Sequence, residues 1–328
     1  KPTSAMRRVM AEAVVGDDVF GDDPTVRELE HLTASLLGQE AAVFVPSGTM
    51  ANQLAIRSQT QPGDELLLEG ESHIAWYEAG GPAALSGVTC RALTGDRGVL
   101  TGAVVRAALR PVDIHYPPSR MLAVENTHNR GGGRVWPLDI LRDVCATARA
   151  AGLCTHLDGA RLWNAAVATG RAESEYAREF DTVSVCFSKG LGAPVGSALA
   201  GSSAVIDRAR RFRKQWGGGM RQVGLLAAAA LHALHHHRHR LADDHQNARQ
   251  LAEGLSTIRG IKIDVDAVET NMVYFDVPSA DSEVVAARLE QRGVLLLPHG
   301  AHSLRAVTSL EVTQAVAAIA EVVADAAR

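Results

Sequence analysis

The sequence predicts an α/β fold with one large domain, built on a mostly parallel sheet, and a small C-terminal α/β domain. Three observations predict it. Helical and strand patterns alternate for about two-thirds of the chain, as layered α/β folds require. Two short apolar runs, Cys154 to Asp158 and Asp181 to Lys189, are bounded by turn residues and read as strands in a sheet interior. Composition then changes near Leu241, and a compact tail of about 90 residues follows, a plausible length for a second domain. The expected division is an N-terminal arm at 1–14, a large domain at 15–240 and a small one at 241–328.

The elements follow in order. Val26, Leu29, Leu32 and Leu36 recur at helical spacing, so 25–37 is a helix stopped by Gly38. Residues 41–46 form a strand that ends in Ser47-Gly48-Thr49, and a helix runs from about 49 to 58. Residues 65–68 and 120–125 are strands. The segment 137–151 is an amphipathic helix with Leu138, Leu141, Cys145 and Ala148 on one face, a proline at its first turn and Gly152 at its end. Strands at 154–158 and 181–187 enclose a short helix. A long helical stretch from 203 to about 239 is interrupted near Gly217-Gly218-Gly219. The tail reads as an amphipathic helix from about 241, strands at 261–265 and 271–277, a helix at 281–292, a strand at 293–297 and a final Ala/Val-rich helix.

Bulk properties exclude several classes. Apolar residues make up 46% of the 328, enough for a sizeable core. A formal charge of −4 leaves no basic footprint for nucleic acid and no polybasic membrane anchor. The longest apolar stretch, from Gly224 to Leu234, is too short to span a bilayer. No two of the four cysteines (90, 145, 154, 186) form a CxxC pair, so a reducing cytoplasm is the expected setting. The opening residues lack the charged head and apolar core of a signal peptide.

Asp158 and Lys189 carry the chemistry. Ligands of open α/β sheets bind outside the carboxyl ends of the strands. An acid at one strand end and a lysine at the next, 31 residues on, are a strand-helix-strand unit apart. That pair suits pyridoxal phosphate (PLP): the lysine attaches it and the acid keeps its ring nitrogen protonated. Taken alone, a strand-end lysine points into solvent and an Asp-Gly pair caps a turn. The glycines around Lys189 let a bulky ring approach the backbone.

Other residues join more weakly. Arg161 lies three positions past Asp158, where its guanidinium could clamp a carboxylate. The Ser47-Gly48-Thr49 turn opens a helix, whose free amides and dipole attract phosphate. His73 and His128 follow strand ends. Single histidines are more often structural, but an imidazole can stack on a ring or handle protons near neutral pH. The arginine-rich run from 208 to 221 is either a solvated face or a cation source for a phosphate. His232 and His236 are four apart and share a helix face. No carboxylate or cysteine ligand accompanies them at a zinc-motif spacing, so the run to His239 reads as a polar helix end and no metal is expected.

Taken together, these segments resemble the threonine aldolases of the β-eliminating lyase group, which are fold-type I PLP enzymes. The resemblance covers almost the whole chain. It rests on Gly16-Asp-Asp-Val-Phe-Gly-Asp-Asp-Pro-Thr25, Pro46-Ser-Gly-Thr49, His73 with Glu78-Ala-Gly-Gly81, Glu125-Asn-Thr-His-Asn129, His156-Leu-Asp-Gly-Ala-Arg161, Ser188-Lys-Gly-Leu-Gly192 and Gly217-Gly-Gly-Met-Arg-Gln222. It implies that Lys189 carries the coenzyme, Asp158 contacts its ring nitrogen, His73 stacks on it, and Gly48 and Thr49 hold its phosphate. Lys214 and Arg221 resemble cations that reach the phosphate from a neighbouring subunit of a homo-oligomer, a dimer of dimers. Arg161 and Arg305 resemble the carboxylate-binding pair, and His128 the second active-site histidine, which contacts the substrate hydroxyl. The chain departs from the group twice. Phe20 stands where a tyrosine is usual, and the serine that usually precedes a Lys-Pro pair is not within this chain, which opens at Lys1-Pro2.

The expected activity is retro-aldol cleavage of an L-threonine-type amino acid to glycine and an aldehyde, with His128 as the proton acceptor. A transaldolase or an aryl-serine aldolase would share the site. A non-catalytic PLP-binding protein and a histidine-cluster metal protein are the readings from other classes.

Overall fold

The computed structural model describes residues 1–312. The expected final helix lies outside the described residues. The chain splits into two compact units, one of residues 1–131 with 136–238, the other of 132–135 with 239 onward.

In the larger unit the elements run α1 (Ser4–Ala11), α2 (Pro24–Leu37), β1 (Ala41–Val45), α3 (Gly48–Gln59), β2 (Glu65–Glu69), α4 (His73–Trp76) and β3 (Thr89–Leu93). They continue as α5 (Gly102–Ala108), β4 (Ser119–Glu125), α6 (Leu138–Ala150), β5 (Cys154–Gly159), α7 (Leu162–Thr169), α8 (Glu173–Ala177) and β6 (Thr182–Cys186). β7 (Ser197–Gly201), α9 (Ser203–Gln215) and α10 (Gly224–His236) complete the unit.

Seven strands form one sheet in the order β1-β7-β6-β5-β4-β2-β3. The pairs β2–β3, β2–β4, β4–β5 and β5–β6 are parallel, whereas β7 is antiparallel to both β6 and β1. Two reversals restore direction, so β1, β2, β4, β5 and β6 all present their carboxyl ends at one edge. Every residue of β2, β6 and β7 is buried, which requires cover on both faces. On one face Val43, Val45, Leu66, Leu68, Met121, Ala123 and Leu199 pack with Leu54 and Ile56 of α3 and Ile206 of α9. Their two-residue spacing within the strands is the pleat's alternation.

The expected helix at 25–37 and strand at 154–158 are present to within a residue. The stretch from 203 breaks into α9 and α10 as expected. The sequence reading missed α1, α4, β3, α5 and β7, and gave one short helix where α7 and α8 stand.

The smaller unit contains α11 (Leu241–Ser256), β8 (Met272–Asp276), α12 (Ser282–Glu290), β9 (Leu297–Pro298) and β10 (Ser303–Val307). Its three strands pair antiparallel in the order β8-β10-β9. Leu251, Leu255, Val273, Phe275, Val285, Leu289 and Leu304 form its core. Two expected strands fail here. At 261–265 only Lys262 bridges to Asp276, and Asp264 instead accepts the Asp266 amide and caps a 3-10 turn. At 293–297 only Leu297 lies in a strand, the two-residue β9; Val294 and Leu296 pack against the unit's core, whereas Leu295 and Leu297 are exposed.

Among the described residues no helix is long and apolar enough to cross a membrane, and the four cysteines are unpaired.

The loop from Gly16 to Asp23 is fastened by its acids. Asp17 pairs with Arg221 at 2.5 Å and Asp18 with the buried Arg213 at 2.9 Å. Asp23 is fully buried and accepts four backbone amides, from Gly16, Thr25, Val26 and Gly224. It therefore caps α2 and ties the loop to the start of α10. Asp23→Ala leaves buried donors without acceptors and should cost about 3 kcal/mol, from the lost cap and the unsatisfied amides. Urea denaturation checks this, and a loss below about 1 kcal/mol would show that the amides find other partners.

Candidate active site

Five carboxyl strand ends deliver the side chains. Asp158 is the penultimate residue of β5, directly opposite Glu125 in register on β4. Glu69 ends β2, and His73 opens α4 just beyond it. Ser188 and Lys189 follow β6, whose last carbonyl, at Cys186, accepts the indole N–H of Trp163 at 3.1 Å. Ser47 caps α3 after β1, its hydroxyl accepting the Met50 amide at 3.1 Å. The amides of Gly48 and Thr49 begin this helix and have no acceptor within it. Gly48 is glycine for a packing reason, since a Cβ there would stand 2.9 Å from the Cys186 sulfur.

Asp158 is 3% exposed. Burial alone would push its carboxyl up. The Lys189 ammonium, His73, the Asn52 donor and His156 outweigh burial and hold it below the ordinary aspartate range. Its Oδ2 accepts Asn52 Nδ2–H at 2.8 Å and its Oδ1 accepts the Ala160 amide at 3.1 Å. The acid is thus buried, charged and next to a primary amine.

Asn52 is the hub that the sequence did not reveal. Its amide group donates to Glu78 at 2.7 Å and to Asp158. Its carbonyl accepts from the Ser184 hydroxyl at 2.8 Å and from His156 Nε2 at 3.0 Å. All four of its hydrogen-bonding positions are used, and the flipped amide would set an oxygen against two carboxylates. Burial pushes the His156 pKa down to about 4, so the ring is neutral near pH 7. With Nε2–H donating to Asn52, Nδ1 accepts from the Thr182 hydroxyl at 3.0 Å, and Thr182 accepts from Gln59 at 2.9 Å. His156 and Asp158 are two apart on one strand and therefore on one face, the signal that could have linked them. Asn52 sits one helical turn past Ser47-Gly48-Thr49, on the buried side of α3.

His73 Nδ1 lies 2.9 Å from Glu78 Oε1, and Gln53 donates to Glu78 Oε2 at 2.5 Å. His73, Glu78 and Asp158 place one polar atom each within 4.8 Å of the others. Burial lowers the His73 pKa, but the Glu78 hydrogen bond and the charges of Asp158 and Glu78 more than reverse this, so it rises above 6.5. Its backbone amide donates to Glu125 at 2.6 Å.

His128 sits differently from its expected role. Its side chain is 1% exposed. Nε2 lies 3.0 Å from Glu69, and Nδ1 accepts the Gly131 amide at 3.0 Å. The imidazole is therefore the Nε2–H tautomer, with both nitrogens committed. Gly98, at φ +89°, allows this close fit: a Cβ there would come 2.1 Å from His128 Cγ. Burial works against charging the ring, but Glu69 and Glu125 prevail and raise its pKa. In this arrangement His128 has no lone pair to offer a substrate proton. Burial pushes the Glu125 carboxyl up, and the ring's approach to it, 4.0 Å, is looser than that to Glu69.

The structure brings Lys189, Asp158, His73, Gly48 and Thr49 to the same sheet edge. Arg161 caps α7, three residues from Asp158. Lys214 lies in the last turn of α9, and Arg221 pairs within its own chain with Asp17 while lying 5.7 Å from the exposed Phe20 ring. Arg305 belongs to the smaller unit, mid-strand in β10 between Tyr274 and Leu297.

A family model described as beta-eliminating lyase matches residues 1–278. The chain belongs to the beta-eliminating lyase family. It is 41% identical over 320 residues to low-specificity L-threonine aldolase 1 of Arabidopsis thaliana, covering 95% of this chain and 89% of that protein. Among solved structures it is similar to Leishmania major threonine aldolase, with a TM-score of 0.83 at 22% identity, covering 100% of this chain and 97% of the other. It is also similar to a serine palmitoyltransferase of S. paucimobilis solved with bound PLP, with a TM-score of 0.76 at 19% identity, covering 98% and 82%. At these identities the two structures establish the shared fold, that of the fold-type I PLP enzymes.

The Glu78 contact makes a direct prediction. Replacing Glu78 by Gln removes the charge that favours imidazolium, so the His73 pKa should fall. Histidine-selective NMR titration should find His73 titrating above 6.5 in the parent protein and lower in Glu78→Gln. An unchanged midpoint would assign the shift to another group.

Proposed function

We propose that this chain is a carbon–carbon lyase that cleaves β-hydroxy-α-amino acids of the L-threonine and L-allo-threonine type to glycine and an aldehyde, with PLP as coenzyme. The observation that carries the reading is the buried, charged Asp158, with the Lys189 and His73 charges acting on it at one sheet edge. The donor set fits PLP. An anion that stays charged in the interior suits a protonated ring nitrogen, a primary amine suits the aldehyde, and the free amides at the start of α3 suit a phosphate. The curated threonine aldolase relative matches nearly the full chain, which favours this reaction over others of the family.

Bound there, PLP supplies an electron sink for the pair released when Cα–Cβ breaks. The rest of the work falls to the chain. Lys189 would tether the coenzyme. Asp158, oriented by Asn52, would hold the protonated ring nitrogen. Arg161 would bind the substrate carboxylate and so orient the bonds at Cα; Arg305 is assigned the same kind of carboxylate contact. A base takes the β-hydroxyl proton as Cβ becomes the aldehyde carbon, and a proton delivered to Cα completes glycine. We assign that proton to His73 in place of His128. Glu78 holds Nδ1–H, which leaves the Nε2 lone pair of the neutral ring to act. His128, with both nitrogens bonded, fixes Glu69 and the loop around it.

Lys214 and Arg221 are assigned to the phosphate of a neighbouring copy in a cytoplasmic homo-oligomer. Light scattering tests the assembly, and co-expression of Lys189→Ala with Arg221→Ala subunits tests the shared site. A second reading has a specific observation in its favour. Tyr77, half-exposed, has its ring 5.5 Å from that of His73, an aromatic surface suited to an aryl-serine.

Aldehyde release should be measured across the threonine stereoisomers and phenylserine, with and without PLP, and with an added acceptor aldehyde to reveal transfer. Cleavage should require PLP, and Lys189→Ala should lose both turnover and the visible absorbance of the attached coenzyme. Retention of both in that variant, or colour without turnover over the whole panel, would refute the assignment.

A further inference from the structure

The end of α10 carries chemistry that the reaction does not use. His232 and His236 stand one turn apart, their ring centroids separated by 4.5 Å. The sequence alone offers only this pair. The structure adds a third ring: His237 meets His232 edge-on at 5.3 Å, with the rings 89° apart. His237 is buried, and its Nδ1 donates to the Leu191 carbonyl at 2.7 Å. A carbonyl only accepts, so this bond fixes the tautomer and leaves Nε2 with its lone pair. Metal-binding histidines are oriented in this way, one nitrogen held by a backbone carbonyl and the other free to ligate. The rings of His232 and His236 make no hydrogen bond among the described residues. His236 is exposed and His232 half-buried, so water can complete a coordination shell. The adjacent Arg238 is matched by Glu173 at 2.6 Å, which reduces the repulsion a cation would meet.

We propose that His232, His236 and His237 form a binding site for a late first-row divalent cation of the zinc, copper or nickel type. Imidazole nitrogens select these ions over magnesium or calcium, which prefer oxygen. Metal–nitrogen bonds of about 2 Å place two ligating nitrogens on the order of 3 Å apart. The His232 and His236 rings, tilted by 43° one turn apart, reach that separation by rotation of the exposed His236 side chain. The site also touches the coenzyme-bearing loop, because Leu191 follows Lys189 by two residues and the Gly192 amide is bonded to the Lys189 carbonyl at 2.9 Å. An ion on His237 polarises its N–H and tightens the hold on Leu191.

The test uses tag-free, PLP-loaded protein stripped of metal by chelation. Zinc and nickel are titrated calorimetrically, and copper is followed by the nitrogen hyperfine structure of its electron paramagnetic resonance. The proposal expects saturable one-to-one binding. His236→Ala, at an exposed position, should weaken it by roughly tenfold or more, as loss of a ligand must exceed loss of a supporting contact. A His232→Ala/His236→Ala double variant should abolish it, while His115→Ala, at an exposed histidine outside the cluster that contacts Asp113, should leave it unchanged. Absence of saturable binding would overturn the proposal. So would binding that persists in the double variant, including binding traced to His73, Glu78 and Asp158.

Discussion

A carboxylate buried at 3% exposure and still charged is the constraint on which this structure depends. Desolvation opposes that state, and an isolated buried aspartate would take up a proton. The chain resists in three ways at once. It sets an ammonium and an imidazole beside Asp158, donates to both carboxylate oxygens, and fixes the donor through a relay from Gln59 to Thr182, His156 and Asn52. A neutral His156 is part of the device, because its Nε2–H fixes which way the Asn52 amide points. Partly satisfied, such a network would be worse than an apolar core; fully satisfied, it specifies one geometry.

The sheet explains why those groups can meet. One antiparallel strand, β7, lies between β1 and β6 and leaves both running the same way. Side chains separated by more than a hundred residues thus reach one edge on rigid strand ends, with small residues at the points of closest approach. Gly48 admits the start of α3 against Cys186, and Gly98 admits the chain against His128. The acidic loop from Gly16 to Asp23 has a related duty. Its aspartates anchor it to the end of α9, the start of α10 and the basic segment between them, which keeps Arg213 and Arg221 ordered near the same region.

The reactive pair was legible in the sequence because it lies at the ends of short apolar runs, where the hydrophobic pattern itself marks a strand terminus. The helices at 24–37 and 138–150 were legible through caps and a clear apolar face. The omissions have physical causes. β7 reads Ser-Ala-Leu-Ala-Gly, small residues of low strand propensity that are accepted only because neighbours on both sides pair with them. β3, at the sheet edge, is mostly exposed and lacks an apolar run. The apparent strand at 293–297 had the right hydrophobicity, but only Leu297 pairs, at the start of the two-residue β9. Within the site, Asn52 went unseen and Glu78, though inside a matched segment, was given no role, for a different reason. Hydrogen-bond hubs join residues distant in the chain, and no local period records them. His128 was placed in the right neighbourhood, but only three dimensions show that Glu69 and the Gly131 amide occupy both its nitrogens.

The most direct test of the buried, charged Asp158 is the nitrogen-15 chemical shift of ring-labelled PLP reconstituted into the protein. The account predicts a protonated ring nitrogen across the neutral pH range, and loss of that proton when Asp158 is replaced by Ala. An unprotonated nitrogen in the parent protein, or one indifferent to the replacement, would contradict the account at its base.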